Sequence, residues 1–179
     1  MSSYGVPPAA GELQRFRARY ARLLERVVEV LMIVLAVEVT AGVLFRTLGQ
    51  PLVWYDEVAS ILLAWLTFYG SALASAKRAH IGCPELIEQL SPARRRAFDI
   101  AAQLLVIAFF ALLAWVGFSI LPVLATDAMV SVPSVPMSVV QSVIPISAVL
   151  ILIAEVTYLL ELLYAAPGGP GSTLADGLH

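Results

Sequence analysis

The sequence predicts an all-α integral membrane protein: four transmembrane helices, N-in/C-in, with a short amphipathic interfacial helix in the cytoplasmic connector. Three observations carry this. Of the 179 residues, 60% are hydrophobic and only 13% are charged, where a soluble domain carries about a quarter charged residues. The apolar residues fall in four blocks and not along one face of amphipathic helices. The basic residues cluster on alternate connectors. A net charge of −2 and a single cysteine, Cys83, speak against a nucleic-acid partner and exclude an internal disulfide or a thiolate metal cluster.

The first segment, residues 1–26, is read as a cytoplasmic basic extension. Its start, with Pro7 and Pro8, reads as a loose tail. Arg15, Arg19, Arg22 and Arg26 then recur at helical spacing. Two readings stay open for that stripe: contact with anionic lipid headgroups, or a solvated extension of the first span. Span one is expected at about residues 27–45, too long for a signal h-region and without a cleavage site, hence uncleaved.

A polar connector with Gly49 and Pro51 leads to span two, about residues 58–76. Asp56 stands at the expected N-cap and Glu57 follows, placing negative charge at the positive end of the helix. Each of these spans is just long enough, at about 1.5 Å per residue, for a hydrocarbon core of about 30 Å. Lys77 and Arg78 belong in the last turn of span two. Pro84 to Leu90 reads as the surface amphipathic helix, and Ser91-Pro92 as the start of the next helix. Span three is expected at about residues 98–123. After a loop with Asp127, Pro133 and Pro136, span four covers about 137–164, and Pro145 is expected to kink it. The Gly- and Pro-rich residues 166–179 read as a disordered cytoplasmic tail.

Orientation follows from charge. The N-terminal segment holds five arginines, the connector between spans two and three holds Lys77, Arg78, Arg94, Arg95 and Arg96, and the other two loops hold only Arg46. Both ends are therefore expected in the cytoplasm, with Arg46, Trp54, Asp56, Glu57 and Asp127 on the far side.

Nothing in the sequence resembles an enzyme site. It has no phosphate-binding glycine loop and no nucleophile paired with a base. His80, beside basic residues, reads as an interface-level anchor, since one histidine makes no metal site. Glu38 in span one and Glu155 in span four are carboxylates within apolar runs, where each needs a partner, a proton or water. Counted inward along their helices they fall at similar depth. They are candidates for a shared-proton pair, against the plainer reading that each is protonated or bonded to a partner subunit. Gly70, Ser71, Ala74 and Ser75 form a seam of small residues, equally suited to internal packing and to a partner helix. Trp65, Phe68, Trp115 and Phe118 are expected to face lipid or a partner.

The stretch from Arg46 to Ile81 carries a recognisable order. Arg46 ends span one, Trp54 precedes the acids Asp56 and Glu57, Trp65 centres an apolar run, and Gly70, Arg78, His80 and Ile81 follow. With Leu90, Pro92, Arg94 and the Ile144-Pro145-Ile146 run, this resembles the small membrane subunit (Q, or DctQ-like) of tripartite ATP-independent periplasmic (TRAP) transporters, over roughly residues 27–165. Asp56 and Glu38 depart from that family's usual pattern. The resemblance implies a scaffold in the bacterial inner membrane. Such a subunit stabilises a large multi-span transport subunit and helps a periplasmic solute receptor dock during symport of an organic acid. It implies a sodium gradient used by the complex and no cofactor in this chain. Arg46 with Asp56 or Glu57 is a candidate ion-pair clasp between spans one and two, or a receptor contact. The competing reading is a stand-alone four-span proton-coupled exporter using Glu38; the long charged connector and two tails argue against it.

Overall fold

A computed structural model describes residues 8–77 and 92–164. The expected surface helix at residues 84–90, Arg78, His80 and Cys83, and the C-terminal tail lie outside the described residues. The described part is helical: α1 (Pro8–Thr47), α2 (Tyr55–Lys77), α3 (Pro92–Leu124), the short α4 (Met137–Gln141) and α5 (Val143–Tyr164). Four stretches are long and apolar enough to cross a membrane: Arg15–Thr47, Tyr55–Lys77, Arg96–Leu124 and Met137–Leu163.

Local chemistry explains the ends. α1 begins at Pro8, inside the segment read as a loose tail, because a first-turn proline forfeits only an N–H that would have no helical partner. It runs 40 residues, about 60 Å by helical rise, so it is far longer than its apolar core. Its C-terminus closes on Gly49, whose φ of 77° suits glycine. The Gly49 N–H reaches Arg46 O at 3.1 Å and the Gln50 N–H reaches Phe45 O at 3.0 Å, a Schellman closure that satisfies terminal carbonyls. α2 starts one residue before the expected cap: Tyr55 is its first residue, and Asp56 and Glu57 fill its first turn. In the last span, α4 and α5 are separated at Ser142, whose φ of −60° and ψ of −22° keep the chain on a nearly helical path. Pro145, three residues on, has no N–H for the Gln141 carbonyl, so the ladder loosens there without a sharp turn.

Each long helix has a distinct set of neighbours. α1 packs on α2, α2 on α5, and α5 on α3, while α1 touches α5 more lightly. α3 makes little contact with α1 or α2. The result is an open layer and not the closed ring of a four-helix bundle.

The buried centre lies where α1, α2 and α5 meet. Leu24 is 2% exposed, and Ala72, Ala76 and Ile151 join it, with Tyr20, Tyr69, Leu73 and Phe110 around them. The basic segment of α1 is thus a packed wall. The Tyr20 hydroxyl donates to Leu150 O at 2.6 Å, and Arg17 Nε donates to Ala76 O at 3.0 Å. Most other large apolar side chains face outward, among them Leu105 at 73% and Trp115 at 77% exposure. A lipid-facing helix has no hydrophobic reason to hide them.

Two glycines permit close approach. A Cβ on Gly42 would lie 2.0 Å from the Tyr55 ring, and one on Gly117 would lie 3.0 Å from Pro145. Gly70, by contrast, has open space around it, so within this chain the small-residue seam closes at Ala72, Ser75 and Ala76. Gly42→Ala is therefore expected to lower stability by about 1–3 kcal/mol through overpacking. Gly70→Ala is expected to be neutral or slightly stabilising, since alanine is the better helix former. Thermal unfolding of the two variants in one detergent distinguishes them.

Candidate functional site

The richest polar constellation lies toward the end of the layer that carries Arg17, Lys77 and Glu161. Glu155 of α5 sits between α2 and α3. The Ser75 hydroxyl donates to Glu155 Oε1. Gln103 Nε2 donates to Glu155 Oε2 at 2.6 Å and to the Glu155 carbonyl at 3.1 Å. One carboxylate so joins three helices, with each side-chain oxygen taking a bond from a different neighbour. Beside it, Arg17 Nη1 pairs with Glu161 Oε2 at 3.2 Å, and Lys77 pairs with Glu25. These partly exposed pairs orient α1 against α2 and α5 more than they stabilise.

A cavity of about 490 Å³ opens on this cluster. Arg17, Ser71, Ser75, Gln103, Glu155 and Tyr158 line its polar part, and apolar residues line the rest.

Glu38 is elsewhere and does not meet Glu155. Both Glu38 oxygens are shielded and have no hydrogen-bond partner among the described residues. The shared-proton pair is therefore not formed. The expectation of equal depth failed because residues were counted from the edges of apolar blocks. α1 continues into the layer well before its apolar block, so Tyr20 and Leu24 stand level with Leu150 and Ile151, and Glu38 lies some four turns beyond.

At the opposite end, the ion-pair clasp is also absent. Among the described residues, Arg46 forms no ion pair with Asp56 or Glu57. Arg46 and Asp56 instead line a second cavity of about 330 Å³ with Gly42, Pro51, Leu52 and Tyr55. Glu57 turns to the loop between α3 and α4. It accepts the Ser131 N–H at 2.8 Å and the Val130 N–H at 3.3 Å. A carboxylate satisfies two adjacent backbone donors better than it does a distant guanidinium across water. That loop is further closed by Met129 N–H to Val135 O at 3.0 Å and Met137 N–H to Asp127 O at 2.8 Å.

Trp65 corrects another expectation. Its indole Nε1 donates to Val140 O at 3.0 Å, so it ties α2 to α4 and does not face outward. Trp54 remains exposed, as do Trp115 and Phe118.

The sequence reading passed over Gln103, Gly42 and Gly117. Gln103 carried a usable signal: it is a lone amide just inside a long apolar run, where a polar side chain needs a partner. The glycines carried none, since their role depends on which ring crosses them.

Gln103→Leu is expected to cost roughly 1–3 kcal/mol, because it strips a donor from a carboxylate that has few alternatives. Glu38→Gln is expected to leave stability unchanged or raise it, since no contact is lost. Unfolding midpoints in detergent, measured side by side, check both.

No curated protein matches the chain. A family model does: it is described as tripartite ATP-independent periplasmic transporters, DctQ component, and it matches residues 35–164. This region takes in the C-terminal third of α1, all of α2 and α3, the Glu57-bound loop and the broken last span, so the chain belongs to the DctQ family of TRAP transporter components.

Proposed function

We propose that this chain is the small scaffold subunit of a TRAP transporter in a bacterial inner membrane. It sits beside a large multi-span subunit that moves an organic acid inward on a sodium gradient. It also helps a periplasmic receptor dock. The observation that carries this reading is the family match over residues 35–164 in a chain with four spanning-length helices.

The packing supports it. An open layer in which, among the described residues, α3 packs chiefly on α5 and α4 leaves broad apolar flanks suited to a larger membrane partner. Several polar groups within the spans bond to their own chain, with Glu38 an exception among the described residues. Glu155 is engaged by Ser75 and Gln103, and Trp65 by Val140. That economy fits a scaffold better than a conduit, which needs polar groups free to meet a solute.

In this reading the end bearing Arg17 and Lys77 is cytoplasmic, by the positive-inside rule. The end bearing Arg46, Asp56 and the Glu57-bound loop is periplasmic. Arg46 is exposed and has no ion-pair partner among the described residues, so it is available to an acidic group of the receptor. The receptor contact then uses Arg46, while Glu57 holds the neighbouring loop in shape.

Affinity purification of the tagged chain from native membranes in mild detergent, followed by mass spectrometry, tests the reading. A stoichiometric large multi-span subunit is the expected companion; a chain that purifies only with itself would sink the proposal. Arg46→Glu is expected to weaken receptor capture several-fold while leaving recovery of the large subunit unchanged. Receptor pull-down onto reconstituted complex measures it.

A further inference from the structure

We propose that the groove between α2 and α3, floored by α5, holds one phospholipid with a primary-amine headgroup, phosphatidylethanolamine in chemical class. α2 and α3 both pack on α5 and barely touch each other. The gap between them is the cavity of about 490 Å³ that opens on Glu155. A gap of this kind on a membrane helix layer is filled by whatever matches its walls.

Those walls are graded along the helix axes. Ser75, Gln103, Glu155, Tyr158 and Arg17 stand toward one end, with the small Ser71 about 6 Å further along α2 by helical rise. Val106 and Phe110 follow on α3, about 4.5 and 10.5 Å further by helical rise, and Ile151 lies about 6 Å from Glu155 along α5. The polar end lies toward the end of the layer that carries Lys77. Ser75, which bonds Glu155, is two residues, about 3 Å of rise, from Lys77 at the close of the described α2. A polar head there and an acyl chain along Val106, Phe110 and Ile151 match the gradient.

Charge selects the head. Among the described residues, the donors to the Glu155 side chain are neutral: Ser75 and Gln103. Arg17, the cation lining the groove, is already paired with Glu161. Among the described residues the carboxylate has no positive partner, and an ammonium with N–H groups supplies one through charge-assisted hydrogen bonds. The adjoining phosphate faces the Arg17 guanidinium. A quaternary choline has no N–H to donate, and a glycerol head brings no positive charge.

The test uses the full chain together with any subunit that purifies with it. It is exchanged into micelles containing equal amounts of phosphatidylethanolamine, phosphatidylcholine and phosphatidylglycerol with the same acyl chains. Native mass spectrometry then reads the retained lipid. The ethanolamine lipid is expected to be retained about tenfold over the choline lipid, the scale of one charge-assisted bond. Glu155→Gln should bring that ratio close to one. Ser71→Trp, placed at an exposed position on the rim, should reduce retention of all three lipids without disturbing the Glu155 bonds. Equal retention of the three lipids by the unaltered protein overturns the proposal. So does a complex that retains none and instead cross-links a basic side chain of its partner to Glu155. The inference rests on membrane residence alone: absence of a large subunit would defeat the scaffold reading and leave the lipid measurement intact.

Discussion

Inside a bilayer a carboxylate without partners is costly, and the way this chain answers that cost at Glu155 organises much of its architecture. Ser75 reaches it from α2 and Gln103 from α3, so both helices are held to α5 at the same level. α3 has little other contact with α1 or α2, which makes Gln103 its main polar tie to the rest of the layer. Around this knot small residues let the helices approach. Ala72 and Ala76 let α2 lie close to Leu24 and Ile151, and Gly117 admits the Pro145 ring between α3 and α5.

The two ends of the layer are built by different means. At the Arg17 end, charged side chains bridge helices: Arg17 to Glu161 and Lys77 to Glu25. At the other end, backbone groups do the work. Gly49 closes α1, Glu57 gathers the N–H groups of Val130 and Ser131, and Trp65 bonds the carbonyl of Val140 near the break in the last span. A loop fixed in this way presents a defined surface beyond the spans. Such definition is what a docking partner requires, because ordering a loop on binding would subtract from affinity.

Membership in the DctQ family and the open layer bear on each other. A closed bundle buries its polar seam and offers lipid a uniform outside. Here α1 and α3 are edge helices with exposed Leu, Val and aromatic side chains on several sides. The layer therefore has more apolar flank per helix than a ring does. Lipid and a larger subunit are both suited to cover it, and the groove beside Glu155 is the place where that flank is interrupted by charge.

The helical class, the four spanning stretches and the family were legible in the chain itself. Apolar blocks of spanning length admit few backbone solutions in hydrocarbon, and the order Arg46, Trp54, Asp56, Glu57, Trp65, Gly70 is local information. Pro145 marked the missing rung of the last span for the same reason, since an absent N–H is a covalent property, whereas the break itself falls at Ser142. Contacts were not legible. Glu38 and Glu155 looked level because depth was counted along each helix separately, whereas level is set by how α1 slides against α2 and α5. Arg46 reads as a partner of Asp56 or Glu57, but the loop after α3 arrives at Glu57 from more than seventy residues away with better donors. Trp65 and Gly42 depend likewise on what crosses them. Helix formation and span length are thus written residue by residue, while the pairing of polar groups belongs to the tertiary structure, because it depends on the relative register of helices distant in the chain.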